Sequence, residues 1–431
     1  MERNCVVRSN APLFSFGFAC LLVFFSMPAY ASIRTVDCTG ATAGAFKSLQ
    51  AAIDSLNFVG PHEIDVIAGP CNENIVINNR QRLTITAPGV VSINSAVGTD
   101  GNVMTIQGST AIQLVQLGFT GGTNGIRIQR NSEVSVRACT ISGNNQGVAV
   151  RENSTVLLDG DLISGNANNG VLAQSSTLTI QGSTFENNGF RGITLRLSRA
   201  VFQGFNGTNI VQGNGEGIGL VNQSSAEFDA PNFIQNNQIG LEVGDGSSAR
   251  LLGDVAPDGN PIPNVITGNS FIGLNGFAGQ SFLLGATQIT NNGFGGRAFH
   301  AGVRVDDNAS FLASGTGDIQ VANNSGPGIA VTAGGNVDVA GIVVSHNSED
   351  GINLVGNAQV TFLPPNTNVL DGNGGAAINC DSTSVFAGDK TGVNKVACHI
   401  TEIRPESAQE AGRASMRDAA KEERPTKLRR K

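Results

Sequence analysis

The side chains best suited to acid–base chemistry fall close together at His300, Arg304, Asp306 and Asp307, with Arg297 just upstream. An imidazole exchanges a proton near neutral pH. A carboxylate serves as general acid or base, or as an oxygen ligand for Ca²⁺. No metal is assigned by the sequence beyond that calcium option, and no Cys/His spacing matches a zinc site. His62, His346 and His399 have no comparable company.

A second group is basic. Arg127, Arg151 and Arg196, with Arg130 and Arg199 nearby, precede a more acidic series of Glu242, Asp245, Arg304 and Asp306. Arginine forks recognise carboxylates by ion pair and hydrogen bond together, so Arg127, Arg151, Arg196, Glu242 and Arg297 are the expected substrate-binding residues. The same residues also suit a solvated face of mixed charge.

What holds them is a repeat. Every 22 to 26 residues along much of the chain a Gly is followed by an aliphatic-x-aliphatic pair, as in Gly125-Ile-Arg-Ile128, Gly147-Val-Ala-Val150, Gly192-Ile-Thr-Leu195, Gly240-Leu-Glu-Val243 and Gly302-Val-Arg-Val305. An Asn precedes each return, at Asn144, Asn166, Asn188, Asn214, Asn237, Asn269, Asn292, Asn324, Asn347 and Asn373. Apolar and polar residues alternate with the period of a half-buried strand. A strand this short cannot close a core alone, so successive turns of chain must stack. The expected fold is all-β, a single-stranded right-handed parallel β-helix of about eleven coils, on the order of 50 Å long at the spacing of paired strands. Arg127, Glu242 and Arg304 stand two residues beyond a repeat Gly, and Arg151, Arg196 and Asp306 stand four beyond; all face outward. The Asn column has a structural reading, since stacked amides bond along the axis. Insertions after Leu252 and Asn292 are expected as corner loops.

Both ends depart from the repeat. Ser48 to Leu56 has helical spacing, with Leu49, Ile53 and Leu56 on one face, and reads as a short helix capping the first coil. Arg3, Arg8, the apolar run from Phe14 to Met27 and Ala29-Tyr30-Ala31 read as a signal peptide over residues 1–31, cleaved after Ala31. The protein is therefore expected to be secreted or periplasmic, with no transmembrane segment in its mature form. Residues 32–100 then form the cap and first coils, and 101–400 the repeats. Residues 401–431 form a tail with nine basic and six acidic side chains, read as disordered, with contact to an anionic envelope polymer or lipid as the sharper option. In an oxidising compartment Cys38 would pair with Cys71 and Cys380 with Cys398, stapling the two ends. Cys139 is expected as a half-buried packing thiol.

Composition agrees with a solenoid: 56 of 431 residues are Gly, and only 14 % are charged. The net charge of −7 gives no footprint for nucleic acid. The chain has no Trp, and its one Tyr, Tyr30, falls in the expected leader. This removes the usual stacking residues of sugar sites, and the Phe residues at strand positions read as core.

From Val36 to Cys398 the sequence resembles the right-handed parallel β-helix proteins of the pectin-lyase-like superfamily. The resemblance rests on the repeat and on Ser48-Leu-Gln-Ala-Ala-Ile-Asp-Ser-Leu56 followed by Ile64-Asp-Val-Ile-Ala-Gly-Pro-Cys-Asn-Glu-Asn-Ile-Val-Ile77. It implies the fold and polysaccharides as the expected partners. It supplies no active site. The esterase pattern Gly-x-Tyr-x-Glu appears only as Gly69-Pro-Cys-Asn-Glu73, without its aromatic. Asp306-Asp307 is similar to the paired acids of pectin-type glycosidases, but no Gly-His-Gly or Arg-x-Lys accompanies it. Two functional expectations follow. One is a secreted rod that binds glycan or cell-envelope polymer. The other is an extracellular polysaccharide lyase or glycoside hydrolase acting on an acidic polysaccharide, with His300, Arg304, Asp306 and Asp307 as its catalytic group.

Overall fold

The computed structural model describes residues 32–398 apart from 205–206, 230, 284, 296–299, 365–366, 389–392 and 394–395. The expected leader, the charged tail and Arg297 lie outside the described residues.

Each turn of chain lays its strands directly on those of the turn before. One sheet holds 14 parallel strands, from Ile75–Asn78 to Val396–Ala397, one per coil. The other sheets are a 24-stranded one, to which most coils give two short strands around a corner, and a two-stranded hairpin. In a few coils one long strand, such as Gln81–Asn94 or Ser310–Ala322, runs through both segments of the large sheet. The result is a parallel β-helix with three strand segments per coil.

The stack has 14 coils rather than about eleven, and so runs roughly 60 Å at the spacing of paired strands. The first two coils and the last two lack the repeat Gly. The ninth, Ile272–Phe277, carries Gly276 where the second aliphatic belongs. Pairing in the sheet needs neither signal, only an inward apolar side chain to stack. Such side chains form one continuous core: Ile126, Val148, Val171, Ile193, Ile218, Leu241, Leu274 and Val303 follow one another in register, and nearly all are solvent-free.

At one corner the ten asparagines form an unbroken ladder. Each side-chain Nδ2, from Asn144 to Asn347, donates to Oδ1 of the next at 2.9–3.2 Å. Each Oδ1 also accepts the preceding asparagine's backbone N–H, as Asn237 does from Asn214 at 3.0 Å. The column thus satisfies turn backbone that no strand could pair. A serine column at another corner does likewise, with Ser176, Ser198 and Ser224 each donating its backbone N–H to the next serine's Oγ.

The cap helix α1 is Leu49–Asp54, inside the expected span. Its N-terminus is closed by Glu73, which accepts from Ser48 Oγ and the backbone N–H groups of Leu49 and Gln50. Gln50 then acts as a substitute strand: its amide donates to Val76 O at 3.2 Å and accepts from Val76 N at 2.7 Å. So Glu73, met in the sequence as half of an esterase pattern, is a helix cap. Disulfides join Cys38 to Cys71 and Cys380 to Cys398. Cys139 is free and wholly buried rather than half-buried. Of the two insertions, the one after Leu252 carries the hairpin of Asp254–Val255 and Pro261–Ile262.

Candidate binding face

Outward residues of the 14-stranded sheet lie in rows that the register fixes. One row runs Arg127, Ala149, Leu172, Thr194, Gly219, Glu242, Asn275, Arg304. A neighbouring row, two residues further along each strand, contains Arg151, Gln174 and Arg196 on successive coils, and later Gly244, Phe277 and Asp306. Arg151 and Arg196 therefore align, about 10 Å apart, with Arg196 exposed and Arg151 half-buried. Arg127 falls in the other row and bonds Gln129 at 2.8 Å. The basic side chains share a face but make no single file.

Although it faces outward, the middle of the first row is covered. Ala149, Thr194, Glu242 and Asn275 are each at most 9 % exposed. Long side chains lie down over short ones. Arg191 stretches across Gly219, where a Cβ would meet its Nε at 2.7 Å and Cζ at 2.8 Å. The Phe277 ring fills the place of a Cβ on Gly244. Both glycines are thus required by close approach rather than by backbone angle.

Glu242, expected on a solvated acidic stripe, is instead buried and bound. Arg191 Nη2 donates to Glu242 Oε1 at 2.7 Å, and Arg191 Nε is hydrogen-bonded to Glu216 Oε2. The Phe190 ring stacks on the guanidinium, 4.8 Å from its centre, while staying 42 % exposed itself. Asn275 Nδ2 reaches Glu242 Oε2 at 3.5 Å. Burial, then the neighbouring Glu216, pushes the Glu242 carboxyl above the ordinary range, and Arg191 opposes that shift.

The expected catalytic group is only partly assembled. Arg304 Nη2 pairs with Asp306 Oδ2, and Thr332 Oγ1 donates to Asp306 Oδ1 at 2.8 Å. His300 precedes the strand Ala301–Asp306 and Asp306 ends it. Six extended residues put them roughly 20 Å apart. His300 Nε2 lies 3.2 Å from Glu349 Oε1. Asp307 turns away at positive φ into a corner groove with Gly246, Gln280, Asn308 and Ser310. The two adjacent carboxylates, the basis of the calcium option, therefore open onto different surfaces.

Among the described residues, the cysteines and carboxylates that approach closely enough for a metal are Cys38, Cys71 and Glu73. Here they serve as a disulfide and a helix cap. No helix among the described residues is long and apolar enough to cross a membrane.

The residues that organise this face, Arg191, Glu216, Asn275, Phe190 and Phe277, were not singled out by the sequence. Arg191 precedes the repeat Gly192, outside the positions scored as outward. Phe277 ends the strand of the atypical coil. A signal did exist: Gly219 and Gly244 occupy outward strand positions where no turn calls for glycine.

The family profile described as a right-handed β-helix region matches residues 72–239. The chain is a right-handed parallel β-helix protein. Solved structures similar to this β-helix include the A-module of an Azotobacter vinelandii mannuronan C-5 epimerase, at 14 % identity and TM-score 0.44, covering 83 % of this chain and 95 % of that one. A pectate lyase is similar at 12 % identity and TM-score 0.35, over 66 % and 76 % of the two chains. A pectin methylesterase is similar at 12 % identity and TM-score 0.30, over 54 % and 85 %. No curated protein sequence matches the β-helix.

Proposed function

We propose that this chain is a secreted β-helix rod that binds glycan or cell-envelope polymer along the outer face of its 14-stranded sheet. The observation that carries the reading is the flattening of that face. Arg191 lies on Gly219 beneath the 42 %-exposed Phe190 ring, and Phe277 lies on Gly244, so the face carries flat aromatic groups rather than upright side chains. Sugar rings pack against such planes, and hydroxyls or carboxylates reach the flanking amide and guanidinium donors. Arg151, Gln174 and Arg196 continue the donors along the same face. An extended polymer lying along the coil axis would meet these groups in turn.

The test is retention of purified mature protein on a panel of immobilised uronate-containing and neutral glycans, with and without calcium. Binding to at least one polymer, weakened about tenfold or more by Phe277→Ala with the melting temperature kept, is the expected result. Indifference to every polymer would remove the reading.

Glycoside hydrolase or lyase activity is the second reading, favoured by the raised Glu242 carboxyl, a property of general acids. New reducing ends or ultraviolet-absorbing unsaturated products from the same panel would establish it. Against it, both Glu242 oxygens already have protein partners.

A further inference from the structure

Within the binding face just proposed, on which this step rests, the coils bearing Glu216, Glu242, Asn275 and Asp306 differ in chemistry from the basic coils before them. Three carboxylates, of Glu216, Glu242 and Asp306, face two guanidiniums, of Arg191 and Arg304. One negative charge is left over, and Asp245 lies close enough to add to it. A further acceptor is unused. Asn275 is 91 % buried, since 9 % is exposed. Its Nδ2 is spent on Glu242, and its Oδ1 has no hydrogen-bond partner. An orphaned buried carbonyl costs free energy that a donor would recover. The register sets Asn275 between Glu242 and Arg304, with Phe277 two residues further on the same face.

We propose that this end of the face recognises a primary ammonium group, as carried by an unacetylated aminosugar within a glycan. The excess is of negative charge, and an ammonium supplies one positive charge together with donors for Asn275 Oδ1 and a carboxylate. A divalent cation fits less well. Calcium takes six to eight oxygens, whereas here Arg191 and Arg304 already occupy oxygens of all three carboxylates. A carboxylate-bearing sugar would be repelled here and is suited instead to the coils of Arg151 and Arg196. The Phe277 ring would pack against the sugar while its amine reaches toward Asn275 Oδ1 and Glu216.

The experiment compares glucosamine oligomers with N-acetylglucosamine oligomers of equal length, by titration calorimetry at pH 6 in low salt. The mature protein should bind the free-amine oligomer at least tenfold more tightly, with affinity falling as salt rises. Glu216→Gln and Asn275→Ala, each checked for an unchanged melting transition, should bring the preference below about twofold. Equal affinity for the two oligomers, or a preference that survives both substitutions, overturns the inference. So does calcium chloride displacing the oligomer through the same two residues, since that would make the site a metal site. If other glycans bind and depend on Phe277 while the amine makes no difference, the ammonium site falls and the binding face stands. If no glycan of any kind binds, both fall.

Discussion

Arg191 and Gly219 are one unit: the guanidinium reaches Glu242, two coils along, because residue 219 has no side chain. A Cβ at that position would stand within 3 Å of Arg191 Nε, Cζ and Cδ, in space the stiff guanidinium cannot share. Gly219→Ala should therefore lift Arg191 off the sheet and leave Glu242 buried without its cation, at a cost of roughly 3 kcal/mol. Denaturant unfolding measures it. In an Arg191→Ala background the same Gly219→Ala change should cost almost nothing, because the clash and the ion pair are both gone. Additive effects in this cycle would show that the two residues act separately.

How far the sequence reveals this molecule depends on what is local. The core columns and the asparagine ladder repeat at a fixed spacing, so Ile126, Val148 or Asn166 announce their neighbours. The paired end cysteines and the amphipathic turn at Leu49 are equally legible. The coil at Ile272 was missed because Gly276 breaks the aliphatic phrase, although Leu274 alone stacks well enough to continue the core. The face was harder. Arg191 touches Glu216 and Glu242, 25 and 51 residues away. That contact exists only because one strand glycine, Gly219, makes room, and no spacing rule scores a missing side chain. His300 and Asp306 show the opposite error: nearness in sequence suggested a cluster that an extended strand pulls apart.

The asparagine ladder predicts a cost at any interior rung. Asn237 accepts the backbone N–H of Asn214 and donates to Val211 O at 3.0 Å, besides its two side-chain bonds to Asn214 and Asn269. Asn237→Ala would leave that N–H and that carbonyl buried and unpaired. The expected loss is about 3 kcal/mol, from one to three for each orphaned group, seen as a lower urea midpoint. A value within a few tenths of zero would mean that water replaces the amide.

The disulfides should stabilise the ends rather than the middle. Cys38 and Cys71 are 33 residues apart, and closing a loop of that size contributes roughly 3–4 kcal/mol in the chain-entropy model. A Cys38→Ser/Cys71→Ser variant should lose protection first around α1, where Glu73 ties the staple region to Ser48, Leu49 and Gln50. Hydrogen exchange read by mass spectrometry locates the loss. Uniform loosening across all coils would contradict an end staple. A non-reduced digest should contain both cross-linked peptides, with Cys139 unlinked.

Asp161 should make the stability of the rod depend on pH. It is 2 % exposed, inside the stack. Burial raises its carboxyl to about 7, against the lowering effect of hydrogen bonds from the Cys139 and Asp159 backbone N–H groups. The folded protein thus holds this proton more tightly than the unfolded chain, whose carboxyl titrates near 3.8. The contribution is complete below about pH 4, declines as pH rises, and is gone once the folded carboxyl ionises near pH 7, a swing of about 4 kcal/mol at most. In the next coil the same corner position is Ser183, whose Oγ accepts Asp161 N at 3.1 Å and donates to Gln181 O at 3.1 Å. Asp161→Ser should therefore fit, and it should remove the decline between pH 4 and 7 that the unmodified protein shows. Taking the difference between the two proteins cancels the other raised carboxyls, Asp229, Glu242 and Asp338. Parallel curves of melting temperature against pH for the two proteins would show that Asp161 ionises at its ordinary pH in the folded state.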